Sequence, residues 1–155
     1  MPSFRIRRAM SKDIDILVRH RHMMFLEMAR PGKEELRALD ESYRAWSRKM
    51  MGRRLFHGYI VTTEGGEPAA SGCVWLRDVQ PSPGQPAGRI PYIMSVYTDR
   101  RFRRNGLATM VMKEAMEWGR RKGYPRALLH ASRAGRKVYP RLGWKRTWEM
   151  ELAYE

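Results

Sequence analysis

The sequence predicts an α/β fold of the α+β kind, a single mixed, mostly antiparallel sheet flanked by helices. Three observations carry this. Short segments that alternate or run apolar recur between segments whose apolar residues step by three and four. Two of the strand-like segments are joined by a Gly-Gly turn, the mark of a hairpin. Finally, 155 residues with 43% hydrophobic content, 13 Gly and 9 Pro suit one globular domain and exclude collagenous, low-complexity and disordered chains.

Taken in order, Phe4-Arg-Ile-Arg-Arg8 alternates apolar with charged residues and reads as a strand, after which Ser11 and Asp13 cap a helix. Ile14, Leu17, Val18, Met24, Phe25 and Met28 line one face of that helix, which ends before Pro31-Gly32. Leu36, Leu39, Tyr43, Trp46 and Met50 line a second, with Gly52 just past its end. Residues 57–63 and 68–77 form the hairpin around Glu64-Gly-Gly-Glu67, and Asp78 to Gly88, rich in Pro and Gly, forms a surface loop. Arg89 to Tyr97 is a strongly apolar strand in which Pro91, lacking a ladder donor, calls for an edge position or a nearby distortion. Leu107, Met110, Val111, Ala115 and Trp118 make an amphipathic helix stopped by Gly123-Tyr-Pro125. A short strand over 127–131, a helix-like stretch from Arg133 to Leu142 and a final strand from Trp144 to Tyr154 complete the chain.

The charge is uneven. Of the net +15, residues 100–146 hold 15 Lys or Arg against Glu114 and Glu117, a net of +13. Residues 1–99 carry 16 basic against 11 acidic residues, and the last nine residues carry a net of −3. So basic a carboxy-terminal third calls for an anionic partner, either a phosphorylated cofactor or nucleic acid. The lone cysteine, Cys73, has no second thiol for a disulfide, redox or zinc motif and reads as a small buried hydrophobe, so no metal is expected. With no apolar run of membrane-spanning length and no signal-peptide core at the amino terminus, a soluble, cytoplasmic protein with no membrane partner is expected.

The most informative junction is Val96-Tyr-Thr-Asp-Arg-Arg-Phe-Arg-Arg-Asn-Gly-Leu-Ala108, where a strand passes through a basic loop into a helix. A helix amino terminus presents unpaired N–H groups and partial positive charge, and Gly106 and Ala108 lack side chains that would hold a phosphate away. Arg103 and Arg104 can add charge-assisted hydrogen bonds. No Gly-Lys-Ser/Thr follows, so this is not a Walker loop, and the three-glycine dinucleotide fingerprint is missing too.

Arg103-Arg-Asn-Gly-Leu-Ala108 after a strand resembles the acetyl-coenzyme A signature of the GNAT superfamily of N-acetyltransferases, Gln/Arg-x-x-Gly-x-Gly/Ala. Ala131-Ser-Arg-Ala-Gly-Arg-Lys-Val-Tyr-Pro-Arg-Leu-Gly-Trp144 is similar to the segment that follows in that family, where a tyrosine opens a Tyr-x-x-Leu-Gly-Phe-like ending. The resemblance implies a GNAT-like acyl-CoA N-acyltransferase fold over 1–155, with acceptor-side helices and hairpin in 1–88 and an acetyl-CoA-binding core in 89–155. It further implies that Met94, Ser95 and Val96 lie on a splayed strand that pairs with the pantetheine arm, Val96 N–H being the oxyanion donor. Backbone N–H groups of Arg104, Asn105, Gly106, Leu107, Ala108 and Thr109 would hold the pyrophosphate, and Arg103 takes the Gln/Arg position that opens the signature on the cofactor-binding loop. Ser132 stands where relatives often carry Asn, and Tyr139 matches the general acid that protonates the departing thiolate, a role suited to its ordinary pKa of about 10.

The base has no match, since Ala127, Leu128 and Leu129 occupy the strand where some relatives carry Glu. His130, Glu27, Tyr92 and a water chain stay open. The implied reaction is transfer of acetyl from acetyl-CoA to a primary amine on a small molecule or peptide, an acceptor bearing an acidic group suiting the positive surface. Two other classes stay open, a nucleic-acid-binding basic protein and a noncatalytic acyl-CoA-binding module. Dimerisation is common among relatives, and a homodimer is therefore open as well.

Overall fold

The computed structural model describes residues 2–86 and 88–155; Met1, and Ala87 in the expected surface loop, lie outside the described residues. One five-stranded sheet in the order β1-β2-β3-β4-β5 is built from Phe4–Arg8, Phe56–Thr63, Pro68–Asp78, Arg89–Thr98 and Leu128–Leu129. The first four strands are antiparallel and β5 joins β4 in parallel, so the sheet is mixed and mostly antiparallel, as the residue pattern predicts.

Helices cover both faces because the strands alternate their burial. Phe56, Gly58 and Ile60 of β2 face α1 (Ile14–Met28) and α2 (Lys33–Gly52), where Leu17, Val18 and Tyr43 complete one cluster with Cys73. Tyr59 and Val61 face α3 (Leu107–Arg121), whose Leu107, Val111, Met112, Ala115 and Trp118 complete the other with Val74 and Ile93. This period of two on a sheet covered twice explains why residues 56–61 are buried without a break. Cys73 is buried and its thiol is pushed up to about 12 by burial, in keeping with an inert core residue.

Several boundaries differ from expectation for local reasons. A 3₁₀ turn over Ser11–Asp13 precedes α1, and the cap comes from Asp13, whose Oδ2 accepts from the Met10 N–H at 2.8 Å while its carboxylate also pairs with Arg7. Helix α2 runs through Gly52 before stopping at Arg53. The expected strand over 127–131 shrinks to Leu128–Leu129. The helix-like stretch from Arg133 to Leu142 is not an α-helix; it breaks into 3₁₀ turns at Gly135–Lys137 and Tyr139–Leu142, because Pro140 cannot donate to a continuing ladder.

The largest correction concerns the final strand expected from Trp144 to Tyr154. These residues form no ladder, and Trp148, Met150, Leu152 and Tyr154 are 95%, 92%, 75% and 91% exposed. An alternating pattern specifies a strand only where a neighbouring strand and a core face receive it; Trp144 alone reaches the core, its Nε1 donating to Met116 Sδ at 3.3 Å, and among the described residues no strand pairs with the segment.

Candidate active site

The site is built where β4 loses its partners. Along one edge β4 pairs with β3, but along the other it meets β5 only at Tyr92↔Leu128 and Ile93↔Leu129, so Met94 to Thr98 has a strand on one side only. Pro91 sits one residue outside that short ladder, where its missing donor does no harm. Against β3 the register jumps from Cys73↔Met94 to Ser71↔Tyr97, leaving Ser95 and Val96 opposite Gly72 alone. This is a β-bulge, and Ser95 takes φ 56, a left-handed conformation that a serine enters at a cost of about 1 kcal/mol.

Two neighbours hold the bulge. A Cβ on Gly72 would come 2.6 Å from Val111 Cγ1 and 3.2 Å from Val96 Cγ2, so only glycine lets Val96 and α3 close on the sheet there. From the opposite face Tyr43 reaches the same point, its hydroxyl 3.8 Å from Cys73 Sγ and facing Ser95. Burial pushes that hydroxyl well above its ordinary pKa, so it stays protonated.

Beyond Thr98 the chain turns through a 3₁₀ turn at Arg100–Phe102 into α3. Arg104 (φ 66) and Gly106 (φ 72) are both left-handed, and Gly106 is the N-cap of α3 without any side-chain cap. The first N–H groups of the helix are therefore unclaimed by a capping side chain, and no atom stands within 4 Å of where a Gly106 Cβ would lie. Asn105 Nδ2 donates to the carbonyls of Phe102 and Arg103 at 2.9 and 3.3 Å, which braces the loop from within. Arg101 is tied to Asp99 and Glu67.

Glu27, at the end of α1, ties the loop to the other half of the chain. Its carboxylate accepts from Arg103 at 2.6 Å, from Arg100 Nε at 3.1 Å and from the Tyr97 hydroxyl at 3.4 Å. Burial pushes this carboxyl up, but the hydrogen bonds and charges of Arg103 and Arg100 outweigh it and leave its pKa lowered. Glu27 is thus poorly suited to take a proton. Arg103 also donates from Nε to the Thr98 carbonyl at 3.0 Å, whereas Arg104 is exposed and, among the described residues, in no ion pair.

Ser132, Gly135 and Tyr139 form one unit. The Ser132 hydroxyl oxygen accepts from the Gly135 N–H at 3.2 Å, and a Cβ on Gly135 would stand 2.5 to 2.9 Å from the Tyr139 ring and its oxygen. The bare glycine is what seats the ring. Tyr139 is partly buried against the α3-side cluster that also receives Val96, and burial raises its pKa above the ordinary 10, so its hydroxyl stays protonated at neutral pH.

His130 is exposed, and Tyr92 packs edge-on to Trp75 under the Arg77 guanidinium, 4.6 Å from its ring. A group that sequence reasoning missed lies on α1. His20 Nδ1 shares a 2.8 Å hydrogen bond with the Ser71 hydroxyl, its ring is 5.3 Å from Tyr97, and its buried Nε2 has no partner among the described residues. Burial drives its pKa down to about 4. Its place three residues after Leu17 on the apolar face was the available signal. Arg21, one residue on, stacks over Phe25 at 4.7 Å and Tyr43 at 4.2 Å and pairs with no carboxylate among the described residues. Among the described residues no cluster could hold a metal, and no helix is long and apolar enough to cross a membrane.

A strand split from its neighbour beside an open helix amino terminus can hold an extended ligand with a phosphate at one end. The model of the acetyltransferase (GNAT) family matches residues 22–144, most of the chain and all of this junction. The chain belongs to the GNAT acetyltransferase family. Solved structures agree. A GCN5-related N-acetyltransferase from Ralstonia eutropha JMP134 is 27% identical with a TM-score of 0.88, the match covering 98% of this chain and 99% of that one. A predicted acetyltransferase from Clostridium acetobutylicum, solved with acetyl-CoA, is 25% identical with a TM-score of 0.87, covering 97% and 96%. Glucosamine-6-phosphate N-acetyltransferase from Arabidopsis thaliana shares the fold at 18% identity and a TM-score of 0.73, covering 98% of each chain. No curated protein matches this sequence significantly. As a GNAT acetyltransferase the chain is an acyl-CoA-dependent transferase, and its sheet order and flanking helices are those of the GNAT fold.

Proposed function

We propose that this protein transfers acetyl from acetyl-CoA to a primary amine, with residues 89–155 holding the donor and residues 1–88 framing the acceptor. The observation that carries this reading is the β4–α3 junction, one-sided strand and uncapped helix start joined by a basic loop. Backbone groups of Met94, Ser95 and Val96 pair with the pantetheine arm. The N–H groups of Arg104, Asn105, Gly106, Leu107, Ala108 and Thr109 hold the pyrophosphate, with Arg103 and Arg104 adding charge.

The amine nitrogen attacks the thioester carbonyl carbon and the carbonyl pair moves to oxygen. Val96 N–H donates to that oxyanion. As the tetrahedral intermediate collapses, the carbon–sulfur bond breaks and Tyr139 gives its proton to the thiolate, while the amine proton leaves to water. Ser132 can donate its own proton to the donor while its oxygen keeps the Gly135 N–H. Arg21, held by two aromatic rings near the bulge and paired with no carboxylate among the described residues, supports an acceptor that carries an acidic group close to its amine. A homodimer is the proposed assembly.

Release of the free thiol from acetyl-CoA, followed with a thiol reagent across amines with and without a carboxylate or phosphate, tests the reading. Amine-dependent release that falls in Tyr139→Phe supports it, and faster turnover on spermidine than on any acidic amine sinks the acceptor assignment. Cofactor binding with no release on any amine would favour the noncatalytic module, and salt-sensitive duplex binding without cofactor binding would favour the nucleic-acid reading.

A further inference from the structure

On the face of the sheet that α1 and α2 cover, aromatic rings run without a break from α2 to β4. Trp46 of α2 lies parallel to Tyr43, with 6.0 Å between centroids and 16° between planes, and meets Trp75 of β3 edge-on at 5.6 Å. Trp75 meets Tyr92 of β4 edge-on at 6.3 Å, and the register Trp75↔Tyr92, Cys73↔Met94 carries this floor toward the bulge at Ser95. Phe56 and Tyr43 are buried beneath, whereas Trp46, Trp75, Tyr92 and Met94 each keep part of their surface in water. The floor is thus an apolar surface beside the bulge and not the interior of the core.

Each end of the run carries an arginine whose guanidinium lies on a ring and pairs with no carboxylate among the described residues. Arg21 stands 4.2 Å from the Tyr43 centroid and Arg77 4.6 Å from that of Tyr92. Asp40, whose charge Arg21 feels, is already bonded to His22 Nδ1 at 2.6 Å. A guanidinium stacked on a ring keeps its N–H edge turned outward, the geometry that takes a carboxylate through two hydrogen bonds. Tyr43 joins this cation to the reaction centre, since its face carries Arg21 and its hydroxyl faces Ser95.

Resting on the reading of the β4–α3 junction as the donor site, we infer that the acceptor is an aromatic α-amino acid. Its carboxylate pairs with Arg21, its amine meets the thioester carbonyl beside Val96, and its ring lies on the floor of Trp75 and Tyr92 against Trp46. Tyr92 precedes Ser95 by three residues, roughly 10 Å along the strand, a span that a benzyl or indolylmethyl side chain covers from an amine at the bulge. Rings presented in this way favour a further ring over an aliphatic chain, and the two arginines repel a polyamine. Transfer forms the nitrogen–carbon bond and breaks the carbon–sulfur bond. The amine proton leaves to water, Tyr139 protonates the thiolate, and an N-acetyl amino acid and free coenzyme A result.

The test compares thiol release from acetyl-CoA on L-tryptophan, on L-phenylalanine, on tryptamine, which lacks the carboxylate, and on L-alanine, which lacks the ring. The kcat/KM of both aromatic amino acids should exceed those of tryptamine and alanine by about tenfold or more. Arg21→Met, which keeps an apolar stem on Tyr43, should abolish the preference over tryptamine while tryptamine itself reacts as before. Tyr92→Leu should lower the preference over alanine. Titration of N-acetyl-L-tryptophan into the coenzyme A complex should show binding that Arg21→Met loses, with cooperative melting confirming that each variant folds. Alanine or tryptamine used as well as tryptophan, a preference untouched by both variants, or release on other amines alone would overturn the acceptor assignment while the transfer reading stands. Release on no amine at all would overturn the transfer reading and this assignment with it.

Discussion

The β4–α3 junction and the segment after Gly143 both carry a backbone edge that no strand among the described residues pairs, yet they differ in everything around it. Met94 to Thr98 has β3 along one edge, Gly72 and Val111 beneath and Tyr43 above, and the loop beyond is braced by Asn105 and by Glu27 through Arg100 and Arg103. Residues 145–155 have no such neighbours. Unpaired backbone held rigid is preorganised for a ligand, because the ordering cost is met by folding. Unpaired backbone that nothing in the fold holds offers a ligand no such preorganisation.

If rigidity is what separates the two regions, changes at the junction should act strongly and changes in the segment should leave the site alone. The largest effect belongs to Tyr139→Phe, which should lower turnover by about a hundredfold or more while leaving the acetyl-CoA dissociation constant nearly unchanged. Steady-state rates beside calorimetric binding check it, and equal losses in both would reduce Tyr139 to a packing residue. Acid should come next. His20 (about 4) and His57 (about 3) are held below their ordinary 6.5 by burial, so the stability they contribute is complete above pH 6.5 and is lost as pH falls toward those values. For His20 the loss is about 3 kcal/mol. Urea midpoints that stay flat from pH 6.5 to 4 would contradict it.

Gly72→Ala should cost about 1–3 kcal/mol through overpacking against Val111, and by shifting Val96 should also slow turnover. Thermal melts and rates measure the two parts. The smallest effect is expected from ending the chain at Lys145, which should leave cofactor affinity unchanged by titration; a marked loss would mean that the segment serves the donor site.

Most of the sheet and all three long helices were legible because their apolar periods match the faces they bury, as Leu17 and Tyr43 do on one side and Val111 and Trp118 on the other. The phosphate-binding character of Arg103 to Ala108 was legible because strand, basic loop and small residues are adjacent in sequence. Contacts across the sheet were not. No local pattern tells that Gly72 lies beneath Val96, that Gly135 seats the Tyr139 ring, or that Glu27 pairs with Arg103 and so makes a poor base. Residues 144–154 misled for a related reason, since alternation states which face a strand would bury and not whether a neighbouring strand receives it.

The most direct test of a preorganised donor site at the β4–α3 junction is calorimetric titration of acetyl-CoA into the native chain and into Gly106→Glu. Nothing lies within 4 Å of the site of that side chain, and the left-handed φ 72 costs a non-glycine residue only about 1–2 kcal/mol, so the variant should still fold, with its carboxylate at the proposed phosphate site. One-to-one binding by the native chain, lost in a variant whose melting remains cooperative, is the expected result. Equal binding by both chains, or none by the native one, would contradict a donor site at this junction.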